Sequence, residues 1–366
     1  MRLLINVSSI GARCTGMGVY AVHQARFLRS TFDCDIVAAE GADAFGPATL
    51  RAPATHALGA GRGAALKRWV WAKRQARFPG RLLYSPTHHS IRKSDKEIIT
   101  VHDLISLRFL RQHPMQHLYF KHVLPRELRR AAAVFTVSET SRHDIHEYYG
   151  YPLDRIRVVP NGVDTRIFRP APHKQRKPFL LVVGAAHSHK NVEELLTRSH
   201  LWRNRYQLVI ASCRGAYRKH LEHVVRSEKL WRQTRFVEYA SLAELIDLYQ
   251  TCAALVTASR WEGFGIPLLE AMACGARVIA SDIPAHREVL DGHERLVRLG
   301  EEASWASAFT WLAQNPTAAR SLRGTPVERY SWERAGRMLV DHLLEVEPSL
   351  AHSLKTKWTE SVGKIA

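Results

Sequence analysis

The stretch Arg260-Trp-Glu-Gly-Phe-Gly-Ile-Pro-Leu-Leu-Glu-Ala-Met-Ala-Cys-Gly275 concentrates the residue types from which an anion and sugar site is built. Pro267 suits the first turn of a helix and Gly275 its end, so Gly263, Phe264 and Gly265 are expected in a loop at a helix N-terminus, after a strand over Leu255 to Ala258. Free backbone N–H groups and the positive end of the helix dipole converge in such a loop, and two glycines let a diphosphate approach closely. Glu262 precedes the loop and Glu270 lies in the first turns of the helix. Both carboxylates can accept hydrogen bonds from sugar hydroxyls. The plainer alternative is a solvated Glu262 and a Glu270 that only complements the helix dipole. Lys190 follows the run FLLVVG and a short loop, and precedes a helix, which places a cation at the carboxyl edge of a sheet, where ligands of open α/β folds gather.

Weaker signals lie in the first half. His102-Asp103 ends the strand-like run EIITV. The imidazole stands at the carboxyl edge, where ligands of open α/β sheets gather, or else is a local histidine with Asp103 as a cap. Gly16-Met-Gly-Val-Tyr-Ala21 satisfies GxGxxA before a helix, but the intervening GARCT departs from a dinucleotide fingerprint, and Gly16 and Gly18 read better as a mobile glycine-rich loop between strand and helix. Asp33-Cys-Asp35 formally matches a metal-binding DxD, yet it sits at the start of a strand, the wrong end for an active site. It is read as a turn, and no metal is expected.

Short apolar runs alternating with amphipathic stretches position these residues. LLINVSSI, DIVAAE, LLYSP, EIITVHD, AVFTVSE and IRVVP form one βα series, and FLLVVGA, YQLVIAS, TRFVEY, AALVTAS, ARVIAS and RLVRL a second. Nearly all-apolar runs bounded by turn residues suit parallel sheets covered by helices on both faces. Between the series, PNGVDTRIFRPAPHKQRKP carries four prolines and a basic cluster with little periodicity, the mark of a linker. The expected organisation is an N-terminal domain over 1–165, a C-terminal domain over 166–330, and a segment 331–366 whose helix, from Trp332 to Val346, is followed by a fraying polar tail.

With 366 residues, 46% apolar and 24% charged, the chain is a folded protein too long for one small binding module. Five scattered cysteines without a CxxC pair argue against a disulfide framework or a zinc site, and favour a reducing, cytoplasmic setting. The N-terminus is too short in apolar length to span a membrane and reads as a first strand. Net charge is 53 − 34 = +19, and residues 1–170 hold 26 basic against 13 acidic side chains, which is +13 of that total. The bias points to an anionic partner. Arg62 to Phe78 carries six basic residues, two tryptophans and no acid, and together with Arg81 offers a surface for anionic lipid; its alternative is a helix with Trp69 or Trp71 packed on the sheet. Nucleic acid is not the expected partner.

Taken together, EGFGIPLLEAMACG with its Glu262-x7-Glu270 spacing resembles the signature of the retaining family-four glycosyltransferases. VVPNGVD at 158–164, VVGAAHSHKN at 182–191 and TVHDLISL at 100–107 extend the likeness over most of the chain. The resemblance implies the GT-B fold, two Rossmann-like, doubly wound parallel-sheet domains facing a central cleft, with the terminal helix returning to the first domain. It assigns Glu262 to the donor sugar, Glu270 to the nucleotide ribose, Lys190 to the diphosphate, His102 to the reacting centre, and the amides of Gly263, Phe264 and Gly265 to sugar and phosphate. Many relatives carry an Arg after the strand glycine or before the lysine; here Ala185 and His189 stand there, so either His189 is protonated near the phosphates, an arginine such as Arg260 substitutes, or donor affinity is modest, and Gly16 and Gly18 match the family's mobile first loop, which reaches towards the donor phosphate.

The expected activity is therefore hexosyl transfer from a nucleotide diphosphate sugar, with GDP-mannose ahead of a UDP-sugar. The acceptor is a glycan, on a polyprenyl diphosphate carrier, in bacterial polysaccharide synthesis at the inner face of the membrane, with no cofactor. Competing readings are a GT-B epimerase, a nicotinamide oxidoreductase built on Gly16 to Ala21, and a non-catalytic basic protein that binds membrane or RNA. Base recognition is expected in the loops after Ser212 and Val237.

Overall fold

The computed structural model describes residues 1–12, 16–58, 60–61, 63–75, 78–91, 94, 96–315 and 322–356. The chain divides into two units, Met1–Leu107 with Pro114–Asn161 and Trp332–Ala366, and Arg108–His113 with Gly162–Ser331. The grouping starts the second unit at Gly162 rather than 166 and assigns to it a hexapeptide from the first half of the chain.

The first unit is built on a seven-stranded parallel sheet: β1 (Arg2–Val7), β2 (Cys34–Ala39), β3 (Leu50–Ala52), β4 (Arg81–Ser85), β5 (Lys96–Val101), β6 (Ala133–Thr136) and β7 (Ile156–Val158), in the order β3-β2-β1-β4-β5-β6-β7. The second has six parallel strands: β8 (Phe179–Val183), β9 (Gln207–Ala211), β10 (Thr234–Val237), β11 (Ala254–Thr257), β12 (Arg277–Ser281) and β13 (Arg295–Val297), in the order β10-β9-β8-β11-β12-β13. The middle strands are buried along almost their whole length, as their apolar runs require. Around the second sheet, Trp202 and Trp305 are fully buried among Leu180, Ile210 and Val256. Their indole N–H groups donate to Leu195 O at 2.9 Å and Glu194 Oε1 at 3.1 Å, so neither large ring leaves a polar atom unsatisfied.

The terminal helix, Trp332–Val346, packs in the first unit on the helix Gly16–Thr31. Trp332 stacks on His23 with ring centroids 4.3 Å apart, and Gly336 lets Phe27 in so closely that a Cβ there would lie 2.3 Å from Phe Cγ. The tail, expected to fray, is instead seated through residue 356. A 3-10 turn over Pro348–Ser353 leads into a bridge between Leu354 and Phe32, and Lys355 N donates to Thr31 O at 2.8 Å. Residues 357–366 lie outside the described set.

The proline-rich stretch after Pro160 also departs from expectation. From Gly162 on it is part of the second unit, because Arg176 ties it to two helix ends. Its guanidinium donates to Tyr249 O at 2.6 Å, Cys252 O at 3.0 Å and Cys274 O at 2.7 Å, which are carbonyls at the C-termini of the helices Leu242–Thr251 and Ile266–Ala273. Such carbonyls have no partner within their own helices. Arg176→Ala is expected to destabilise the protein by about 2–3 kcal/mol, seen as a lower urea midpoint, with Arg176→Lys recovering only part because an ammonium lacks the planar fork.

Candidate active site

In the second sheet the chain order reverses between β8 and β11: β8 continues to β9 on one side and meets β11 on the other. Connections leaving these two strands diverge, and a crevice opens at their carboxyl ends, the usual ligand position of a doubly wound sheet. The loop after β8 carries His187, His189 and Lys190. The loop after β11 carries Ser259, Arg260, Glu262 and the Gly263-Phe264-Gly265 turn. Sequence positions 72 apart thus meet at one edge.

Lys190 Nζ lies 2.5 Å from Glu262 Oε1, with the two side chains 23% and 13% exposed. Ser259 Oγ donates to the same oxygen at 2.6 Å. Burial by itself would raise the Glu262 carboxyl; Lys190, with help from His286 and His189, holds it down to about 2, so it is a carboxylate at every physiological pH. Behind Ser259 stands a second layer: Ser281 Oγ donates to Ser259 O at 2.6 Å, and the buried His286 donates through Nδ1 to Ser281 O at 2.9 Å. Neither Ser259 nor His286 is singled out by sequence. Ser259 had a signal in its place just past an apolar strand, whereas His286 is one of 20 histidines and had none.

The helix Ile266–Ala273 starts as expected, with Pro267 in its first turn and Gly265 as N-cap at φ +114°. Only glycine adopts that angle freely, and a Cβ would also lie 3.0 Å from Leu268 Cδ1. Phe264 is buried edge-on against Tyr330 at 5.2 Å, which anchors the turn so that its amides hold their places. No side chain caps the helix N-terminus; Pro267 has no N–H and Leu268 N donates to Gly265 O at 3.0 Å, so the positive end of the helix dipole is what this turn offers an anion. Gly275, at φ +75°, donates to Met272 O at 2.9 Å and closes the helix. One turn inside, Glu270 Oε2 accepts from Tyr249 Oη at 2.8 Å. Burial pushes the Glu270 carboxyl up to about 7, and the tyrosine hydroxyl opposes that rise. The two glutamates differ for a physical reason: Glu262 has a cation beside it and Glu270 a neutral hydroxyl.

His189 is buried, and burial followed by the Lys190 charge outweighs Glu262 and lowers its imidazole to about 3. Its Nδ1 donates to Gln112 Oε1 at 2.9 Å. Desolvated beside an ammonium, the ring is neutral at physiological pH. Arg260 is exposed, and its Nη2 donates to Asn191 Oδ1 at 2.9 Å, a link to the end of the β8 loop.

In the first unit, His102 follows β5 and is buried. Its Nε2 lies 2.9 Å from Pro86 O and its ring meets Tyr20 edge-on at 4.9 Å. A carbonyl oxygen only accepts, so Nε2 carries the proton and Nδ1 is the acceptor. Burial lowers this imidazole to about 4, which keeps it neutral. Gly16 and Gly18 lie within the first turn of the Gly16–Thr31 helix rather than in a loop before it. Arg13, Cys14 and Thr15 are outside the described residues. Asp33 and Asp35 pair with Arg2 and Arg81 at the start of β2. Among the described residues no cluster of three His, Cys, Asp or Glu side chains is placed to hold a metal ion.

The basic segment forms a helix over Ala64–Arg74, with Arg62 outside the described residues. Leu66 and Trp69 are 64% and 44% exposed, whereas Trp71 packs on the core and Arg68 is buried, donating to His56 O at 2.6 Å. No helix among the described residues is long and apolar enough to cross a membrane.

Comparison with known proteins agrees with this architecture. Residues 163–324 match the family described as Glycosyl transferases group 1, and residues 14–167 the one described as Glycosyltransferase Family 4. The chain is 30% identical to the O-antigen chain mannosyltransferase RfbU of Salmonella typhimurium over 94% of its own length and 99% of that protein's. It is 26% identical to the O-antigen chain mannosyltransferase B of Escherichia coli over 73% of its length and 74% of the relative's. Among solved structures, sucrose-phosphate synthase from Thermosynechococcus elongatus superposes with a TM-score of 0.73 at 16% identity, over 95% of this chain and 100% of that one. Anabaena HepE, solved with UDP and glucose, gives 0.71 at 16% identity, over 94% and 100%. The full-length relationship, both family matches and two switch-point sheets place the chain in the family-four glycosyltransferases, enzymes of the GT-B fold.

Proposed function

We propose that the protein transfers a mannosyl residue from GDP-mannose to a hydroxyl group of a growing bacterial polysaccharide, with retention of configuration and without a metal ion. The observation that carries the reading is the crevice at β8 and β11, where Lys190, a capless helix N-terminus and two glutamates of opposite electrostatic setting converge. The two relatives above are both mannosyltransferases of O-antigen chains, which supports mannose as the sugar.

In this reading Lys190, Arg260 and the amides of Gly263, Phe264 and Gly265 neutralise the leaving diphosphate, the role a divalent ion would otherwise take. Glu262, permanently ionised, accepts from the mannose hydroxyls and orients the ring. Glu270 accepts from the ribose hydroxyls. The acceptor oxygen attacks the anomeric carbon from the face the diphosphate leaves, and a donor phosphate oxygen takes the acceptor proton. His102, neutral and accepting through Nδ1, positions a sugar hydroxyl at the reacting centre.

The acceptor is a glycan on a polyprenyl diphosphate carrier. The exposed Leu66 and Trp69, on a helix rich in Lys and Arg, seat the enzyme peripherally on the inner face of the cytoplasmic membrane. The test is the anomeric configuration of the product made from GDP-mannose on an extracted lipid-linked glycan in anionic vesicles. An α-linked mannose, assigned by NMR, agrees with retention from the α-configured donor; a β-linked product overturns it.

A further inference from the structure

Within the second unit, a cavity of about 920 Å³ opens at the carboxyl ends of β8, β9 and β10. It adjoins the loop Ala186–Ser188, two residues short of Lys190, and its volume suits a nucleoside diphosphate. Its lining includes the cationic Arg111 and Arg214 and the aromatic Tyr217 and Tyr239, and Glu238 is the carboxylate among the described lining residues. Arg214 Nη1 donates to Tyr239 Oη at 3.1 Å, which steadies an aromatic ring that is 60% exposed. Tyr217, by contrast, is committed: it accepts from Val192 N at 2.9 Å and donates to Glu193.

An acid in a pocket that must receive a polyanion works against affinity unless it meets donors of its own. Glu238 is not explained by its ion pair, since Arg218 reaches it only at 3.3 Å and makes its shorter contact, 2.8 Å, with Glu222. Its side chain is 57% exposed. Nucleobases differ in what they offer such a group. Guanine presents two adjacent donors, N1–H and the N2 amino group, which match both oxygens of a carboxylate. Uracil presents one N–H flanked by two carbonyl oxygens, which repel it.

We propose that Glu238 reads the base of the donor: its carboxylate accepts from N1–H and N2–H of a guanine laid against Tyr239, and so selects a guanosine over a uridine diphosphate. The proposal rests on the GDP-linked donor put forward above and gives it a residue. The base end occupies the cavity, and the diphosphate runs past His187 towards Lys190 and the glycine turn.

The test is calorimetric titration of the full chain and Glu238→Gln with GDP, IDP and UDP, with thermal melting as a folding control. IDP keeps N1–H and lacks the 2-amino group. The wild-type chain is expected to prefer GDP over IDP by about tenfold and over UDP by about 100-fold, the range lost when a partner of a charged hydrogen-bonding group is removed. Glu238→Gln is expected to bind GDP about 30-fold more weakly and UDP within about threefold of wild type. If the variant keeps the full GDP preference, the assignment of Glu238 is overturned while a GDP-linked donor stands. If the wild-type chain binds UDP more tightly than GDP, the donor reading itself is overturned, and this inference with it.

Discussion

Lys190→Ala is expected to lower kcat/KM for sugar transfer by about 10²–10³, the loss found when one charge stabiliser of a developing oxyanion is removed. Two consequences of the geometry add up here. The ammonium stands in the crevice proposed for the diphosphate, and it is also what keeps the Glu262 carboxyl at about 2 against its own burial. Without it, the carboxyl rises and loses the ammonium that holds it in place for the sugar hydroxyls. Steady-state kinetics separates the effects: Lys190→Arg restores charge and recovers part of kcat, whereas Lys190→Gln does not. A Lys190→Ala enzyme within threefold of wild type would remove the diphosphate role altogether.

The second large effect concerns Glu270. Its carboxyl, raised to about 7 mainly by burial, is half protonated near neutrality. A carboxylate accepts from both hydroxyls of a ribose and a carboxylic acid accepts less well, so donor affinity follows the ionised fraction. That fraction rises with pH through the raised value: donor KM is expected to be about tenfold higher at pH 6 than at pH 8. The same raised value makes the free protein less stable as pH climbs from the ordinary carboxyl range towards 7, because folding then disfavours the charged form. Glu270→Gln is expected to raise KM by about tenfold at pH 8 and to flatten the dependence, since an amide has no proton to lose. A profile unchanged by the substitution would assign the titration to another group.

How much of this was legible without coordinates depends on the distance over which each feature is encoded. The glycine turn, Pro267 and Gly275 bound a helix of eight residues, and the signal sits within one turn of the feature it specifies, so the helix Ile266–Ala273 is read almost to the residue. The strand runs announce a parallel sheet because double-sided burial leaves no alternation. The order of those strands is another matter. Nothing in VVGAAHSHKN or EGFGIPLLEAMACG says that β8 and β11 are neighbours, and the Lys190–Glu262 pair depends on it.

Arg176 shows the opposite failure. A prolyl, basic, aperiodic stretch has the composition of a linker, yet three carbonyls at two helix ends hold its guanidinium in place. Gly16 and Gly18 were misplaced for a related reason: glycines ahead of a helix look like loop residues, and here the helix has already begun. The charge state of His189 was beyond reach altogether, because a histidine shifts with burial, and burial is a property of the packed chain.

The most direct test of the central claim is a nucleotide-release assay in EDTA, in which the full-length protein and a lipid-linked glycan are offered GDP-mannose, UDP-glucose, UDP-galactose, UDP-N-acetylglucosamine and NADH in turn. The account predicts acceptor-dependent release of GDP from GDP-mannose alone, reduced by about 10² or more in Lys190→Ala. Release of UDP from a uridine donor with GDP-mannose untouched, or turnover that requires a restored divalent ion, would contradict it.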